Sequence, residues 1–210
     1  MALAYLHTML DKAALAQQER WFGKSYRLPP GPDRDPLTED EREFIARRDS
    51  LYIASVNADG WPYMQHRGGE RGFVEVLGDH ALVIPDYPGN RQLITAGNLQ
   101  GSDRVSLFFM DYPSRARLKV LGHARIQDSR PPGLKSQPVR RSADAPLAER
   151  WIVVDIVGLD WNCPRYITPR YTAEEIEVAA RALTDRIEAL EAENERLRLQ
   201  LAGTRGDRQM

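Results

Sequence analysis

Between about Ser50 and Ile167 the chain is written in short runs of alternating apolar and polar residues, broken by turn signals at close spacing. Period-two patterning of this kind specifies strands with one buried face, and many short strands in succession specify a barrel or sandwich. Strands are predicted at 51–56, 61–67, 72–76, 81–84, 105–110, 118–126 and 151–157. Asn57-Ala-Asp-Gly60 joins the first two as a hairpin, and Leu77-Gly78-Asp79 turns the second pair. A short helix is predicted at 90–98. Residues 128–148 are rich in Pro and Arg without apolar periodicity, and read as a functional lid or a disordered insertion.

The flanks follow a different period. Residues 1–22 read as a helix, with Leu3, Leu6, Leu10 and Leu15 roughly on one face. The clustered prolines of 28–36 cannot sustain a helix and form a linker. Thr38 and Glu41 have capping-box spacing and open a short helix to about Arg48. Residues 173–201 repeat in heptads. Ala173, Ala180, Ile187, Asn194 and Leu201 occupy a, and Ile176, Leu183, Leu190 and Leu197 occupy d. Leucine at d with one Asn at a favours a parallel two-stranded coiled coil, in which Arg186 meets Glu191 and Glu193 meets Arg198 of the twin helix. A single amphipathic helix packed on its own barrel is the alternative. The chain thus divides into a helical extension and linker (1–48), a β-domain (49–170), a coiled-coil helix (171–203) and a disordered tail (204–210).

The formal net charge of −1 provides no field to draw the chain to nucleic acid or to a membrane surface. No uncharged apolar run approaches the ~18 residues of a membrane helix, and no signal peptide is read at the start. The lone Cys163 allows no intrachain disulfide and suits a reducing cytoplasm. The histidines (His7, His66, His80, His123) are scattered, so no metal site is expected. Three polar groupings stand out in the β-domain. Gln65-His66-Arg67-Gly68-Gly69 is too polar for an ordinary half-buried strand, and its glycines allow close approach of a ligand. Pro85-Asp86-Tyr87-Pro88-Gly89-Asn90-Arg91 leads into a helix start, where free N–H groups and a dipole suit a phosphate. Arg115, Arg117 and Lys119 are spaced to share one strand face.

Taken together, several segments resemble the pyridoxamine 5′-phosphate oxidase-like flavoproteins. They are the Gly-Trp-Pro turn, Gln65-His66-Arg67-Gly-Gly, Pro85-Asp86-Tyr87-x-Gly89-Asn90-Arg91, Gly97-Asn98-Leu99, Val105-Ser-Leu-Phe-Phe109 with 117–125, and Asn162-Cys-Pro-Arg-Tyr-Ile167. The resemblance spans about 45–170. It implies a mainly β fold: a six-stranded split β-barrel with flanking helices, paired as a homodimer, with FMN in two clefts at the dimer interface. It also implies the cofactor-binding set. Gln65, His66 and Arg67 come from the phosphate-binding strand, and Asn90 and Arg91 from the turn that grips the phosphate. Ile84 and Pro85 offer backbone to the flavin or ribityl chain. Arg117 is a polar ring-edge contact, and Trp161 and Arg165 close the cleft from the partner. The oxidase strand carries a lysine five residues after its Arg, where this chain has Gly72, and the oxidase's substrate motif is replaced by Asn162-Cys163-Pro164. Vitamin B6 oxidation is therefore not expected.

The expected activity is that of an FMN-dependent oxidoreductase on a small substrate, with hydride passing to or from the flavin. His66 is the one candidate proton donor. Two alternatives stay open: a non-catalytic flavin-binding or sensing dimer, and a related split barrel using F420 or haem, with His66 or His123 as axial ligand.

Overall fold

The computed structural model describes residues 3–134, 147–161 and 164–206, with side chains described up to residue 198. The chain forms two units, 1–167 and 168–210.

The first unit is built on one antiparallel sheet of seven strands: β1 (Ser50–Val56), β2 (Pro62–Gly68), β3 (Glu75–Leu77), β4 (Ala81–Asp86), β5 (Arg104–Asp111), β6 (Ala116–Gln127) and β7 (Arg150–Trp161). Their order is β2-β1-β5-β6-β7-β4-β3. The count agrees with the seven strands predicted from alternation and exceeds by one the six that the resemblance implies; β3, only three residues long, is a short edge beside β4. Alternation sends Leu51, Ile53, Leu107, Phe109, Leu118, Val120, Leu82, Ile84, Ile152, Val154 and Ile156 to one core, each at most 1% exposed. The sheet curls around that core as a split barrel. Its ends, β2 and the β4–β3 pair, do not hydrogen-bond to each other as strands.

The predicted single N-terminal helix is two: α1 (Leu3–Met9) and α2 (Lys12–Phe22). Asp11 interrupts it by accepting the Ala14 N–H at 2.8 Å, which makes it the cap of a new helix. The capping box forms at α3 (Glu39–Ala46), where Glu41 accepts the Thr38 backbone N–H at 2.9 Å. The predicted helix at 90–98 begins later, as α4 (Ile94–Gly101).

The proline linker does more than connect. Buried Asp35 accepts the N–H groups of Ala4 (3.1 Å) and Tyr5 (3.0 Å) at the start of α1, and that of Leu159 on β7 (3.1 Å). Its own N–H donates to Val157 O at 3.0 Å. The linker thereby covers β7 where β4 no longer pairs with it. Gly158 makes this docking possible, since a Cβ there would lie 2.5 Å from Tyr5 Cα.

The second unit contains α5 (Ala173–Gly206), so the helix runs into the tail predicted from 204. Ile176, Leu183, Ile187, Leu190 and Leu197 on its heptad stripe are all exposed. No helix among the described residues is long and apolar enough to cross a membrane. Most of the 128–148 loop, Asn162, Cys163 and the side chain of Leu201 lie outside the described residues.

Candidate functional site: a cationic cleft at the split of the barrel

Where the two sheet ends approach, a cleft of about 380 Å3 opens. It is lined from β2 by Gln65 and Arg67, and from β4 and the following turn by Asp86, Tyr87, Asn90 and Arg91. Ala96 comes from α4, and Glu149 and Arg150 from the start of β7. The register explains Arg67. It lies opposite Leu51, which is 1% exposed, so its side chain starts on the core side of the sheet. It reaches across the split to form an ion pair with Asp86. The other Asp86 oxygen accepts Arg150 Nε at 3.0 Å. One buried carboxylate thus holds two guanidinium groups. Arg67 Nε is buried and has no hydrogen-bond partner among the described residues.

The turn after β4 is strained. Arg91 (φ 60°) and Leu93 (φ 53°) both adopt the left-handed region without being glycine, and both line the cleft. Asn90 supports the turn by accepting the Gln92 N–H at 3.1 Å. This local bond, followed by two left-handed residues, is why no helix forms from 90. α4 starts at Ile94 with no side-chain cap, so its first N–H groups remain available at the cleft. Buried Thr95 donates to Gln65 Oε1 (3.1 Å), and buried Asn98 donates to Ser55 Oγ (2.9 Å), which tie α4 to β2 and β1.

Among the ionisable groups that line the cleft, Arg67, Arg91 and Arg150 outnumber Asp86 and Glu149 by one charge. Burial, reinforced by the negative charge of Glu70 and Glu75, pushes the Tyr87 phenol above its ordinary value. Tyr87 therefore stays a neutral hydroxyl, able to donate. The cleft offers guanidinium, amide and hydroxyl donors around a volume open to solvent, which is the chemistry of an oxyanion site.

The sequence matches the family model "Pyridoxamine 5′-phosphate oxidase" over residues 37–150, more than half of the chain. The chain belongs to the pyridoxamine 5′-phosphate oxidase family. The family is one of flavin-type cofactor binding, and the matched segment contains every residue of the cleft. No curated protein matches the sequence. Solved structures with a related course of chain include HupZ of Group A Streptococcus (13% identity, 64% of this chain and 99% of that one, TM-score 0.46). Others are an FMN-binding protein of Syntrophomonas wolfei (11%, 58% and 83%, 0.39) and a pyridoxamine 5′-phosphate oxidase-related, FMN-binding protein of Nostoc punctiforme (15%, 54% and 73%, 0.36). Family membership rests on the sequence match, not on these distant superpositions.

In this oxidase-family chain, Gln65, Arg67, Asn90 and Arg91 converge in the cleft. Ile84 and Pro85 lie in β4 directly before Asp86, where β3 has ended and one side of the strand is unpaired. The remaining predicted residues lie elsewhere. His66 is on the outer face, edge-on to Tyr52 with ring centres 5.5 Å apart. Arg117 pairs with Met110, one step from the buried Leu118–Phe109 pair, so it also points outward; its Nε is buried without a partner among the described residues. Trp161 donates Nε1 to Glu41 at 2.6 Å and packs edge-on against Phe44. Arg165 is exposed and does not line the cleft.

Two sequence-based expectations are corrected. Gly69 is required by the core rather than by a ligand, since a Cβ there would lie 2.7 Å from the Phe73 side chain, itself buried. The cations 115, 117 and 119 do not form one group: Arg115 is in the turn before β6, and Lys119 pairs with Asp160 at 2.9 Å over the Tyr5 ring. Conversely, Asp86, Tyr87, Glu149 and Arg150 were not singled out as site residues. Asp86 and Tyr87 stand inside the polar run from Pro85 to Arg91. Arg150 is 64 residues from Asp86 in sequence, and no local pattern marks it.

Proposed function

We propose that this protein is an FMN-dependent oxidoreductase that works as a homodimer on a small organic substrate other than a B6 vitamer. One observation carries the cofactor assignment: a buried guanidinium with an unpartnered N–H, Arg67 Nε, in a cleft with two further arginines and an uncapped helix start. That donor set fits a terminal phosphate. Arg67 and Arg91 would bind it, Asn90 would keep the turn in shape, and Gln65 and Tyr87 would donate to the chain leading to the ring. When bound, FMN supplies two-electron chemistry at its isoalloxazine ring. The carboxylates that line the cleft, Asp86 and Glu149, are both engaged by Arg150, so this wall of the site binds and orients rather than moving protons.

The dimer reading draws on two exposed apolar surfaces. The outer face of the β1–β2 hairpin presents Tyr52, Val56, Trp61 and Met64 to solvent. The heptad stripe of α5 does the same, and burying each such side chain contributes about 1.5–3 kcal/mol. A second copy would also bring in outward-facing Arg117 and His66, together with Trp161 and Arg165, which a single chain leaves outside its own cleft. Sedimentation of the intact chain as a monomer would remove this reading.

The cofactor test is an absorption spectrum of the unsupplemented purified protein, followed by release and chromatography of what it carries. Bands near ~375 and ~450 nm with FMN released are expected. A colourless protein that also refuses added FMN would end the proposal. Bound FMN that no nicotinamide or small reductant ever reduces would leave a flavin-binding module.

A further inference from the structure

We infer that Arg150, at the start of β7, is a third guanidinium of the phosphate cradle, and that buried Asp86 is the positioning residue that sets it beside Arg67. The inference rests on the reading of the cleft as a phosphate site and specifies the ligand: a dianionic phosphate monoester rather than a neutral alcohol.

Asp86 carries the geometry. Its side chain is only 7% exposed, and it uses one oxygen for Arg67 and the other for Arg150. The two cations come from strands that are not neighbours in the sheet, β2 and β7, and both pair with this carboxylate. Each retains donors after the pairing. Arg67 spends Nη1 on Asp86 and keeps a buried, unpartnered Nε. Arg150 donates Nε to Asp86 and Nη2 to Glu149, with Nη2 also within ion-pair distance of Asp86, which leaves Nη1 without a partner among the described residues. A planar fork held along one edge presents its remaining edge in a fixed direction, and that arrangement suits phosphate oxygens.

The charge balance points the same way. Two guanidiniums on one buried carboxylate leave a net positive charge where solvent screens weakly. Glu149 offsets it only at the rim, where its side chain is 42% exposed. Arg91, which also lines the cleft, adds a further positive charge. A dianion relieves this excess; riboflavin, with a hydroxyl in place of the phosphate, cannot.

The test compares the dissociation constants of FMN and riboflavin, titrated into flavin-free full-length protein. Wild type is expected to prefer FMN strongly. Arg150→Gln is expected to reduce that preference by about tenfold to a hundredfold, the worth of a charge-assisted hydrogen bond, with riboflavin binding unchanged. Arg150→Lys should fall between, since it retains the charge and loses the fork; it also carries the test if the glutamine variant does not fold. A wild type with no preference overturns the phosphate reading itself. A strong preference in wild type that survives in both variants overturns only the role of Arg150. An equal loss for both ligands makes Arg150 a purely structural residue and also overturns it.

Discussion

Two buried aspartates, Asp35 and Asp86, stand where the sheet lacks a strand partner. Asp35 seals β7 with the proline linker, and all three donors to its carboxylate are backbone N–H groups, those of Ala4, Tyr5 and Leu159. Asp86 spans the split between β2 and β4, and its donors are arginine side chains. A backbone N–H has one hydrogen to give, so the seam at Asp35 is saturated once formed. A guanidinium has five, so the seam at Asp86 closes with donors to spare. Residue type and burial are the same at both. The chemistry of the donors makes one a clasp and the other a binding site.

The comparison is most easily broken at the clasp. Asp35→Ala strands three buried N–H groups, and stability to denaturant should fall by about 4 kcal/mol. The FMN-over-riboflavin preference of the protein that remains folded should not change. Gly158→Val attacks the same seam from the other side by driving a side chain into the Tyr5 backbone. It should cost about 2 kcal/mol and make the segment before Asp35 an early target for protease. Asp86→Asn should reverse the balance of effects. The loss of stability should be nearer about 2 kcal/mol, because the asparagine keeps one acceptor oxygen for the two guanidiniums. The preference for FMN should drop about tenfold, read by the same pair of titrations. Equal effects of the two aspartate substitutions on ligand preference would erase the distinction.

The smallest effect tests a third carboxylate. Burial alone would raise Glu41, but hydrogen bonds from Thr38 and Trp161 outweigh it and hold the carboxyl below its ordinary value of 4.5. A depressed folded value means that its contribution is complete above the unfolded value and is lost as pH falls through the folded one. Some stability should therefore disappear on acidification below pH 4.5, and Glu41→Gln should remove that part of the dependence. The Trp161 indole N–H resonance should move over the same range in wild type only.

The strands and the capping box were legible because each depends on neighbours in sequence. Alternation over 51–56 and 105–110 dictates its own faces, and Thr38 with Glu41 needs only one turn of helix. The site was half legible. Gln65, Arg67, Asn90 and Arg91 stand in motifs with unusual local polarity. Arg150 does not, because its role depends on a carboxylate 64 residues away, and no periodicity encodes such a meeting. The helix predicted from Asn90 starts four residues late for a local reason that composition conceals. Asn90 can cap a turn as readily as a helix, and Arg91 and Leu93 take a conformation that neither residue type favours. The role of the linker was invisible for the opposite reason: prolines announce the absence of a helix, and say nothing of what Asp35 will hold.

The clasp also has a bearing on how the chain is made. Leu159 lies 124 residues beyond Asp35, so the first strap of the protein cannot fasten until nearly the whole β-domain has left the ribosome. Until then α1 lacks the Gly158 groove it rests in. Closing a loop over such a span costs more entropy than closing a hairpin. The barrel should therefore assemble first, with the N-terminal arm as the last piece to lock.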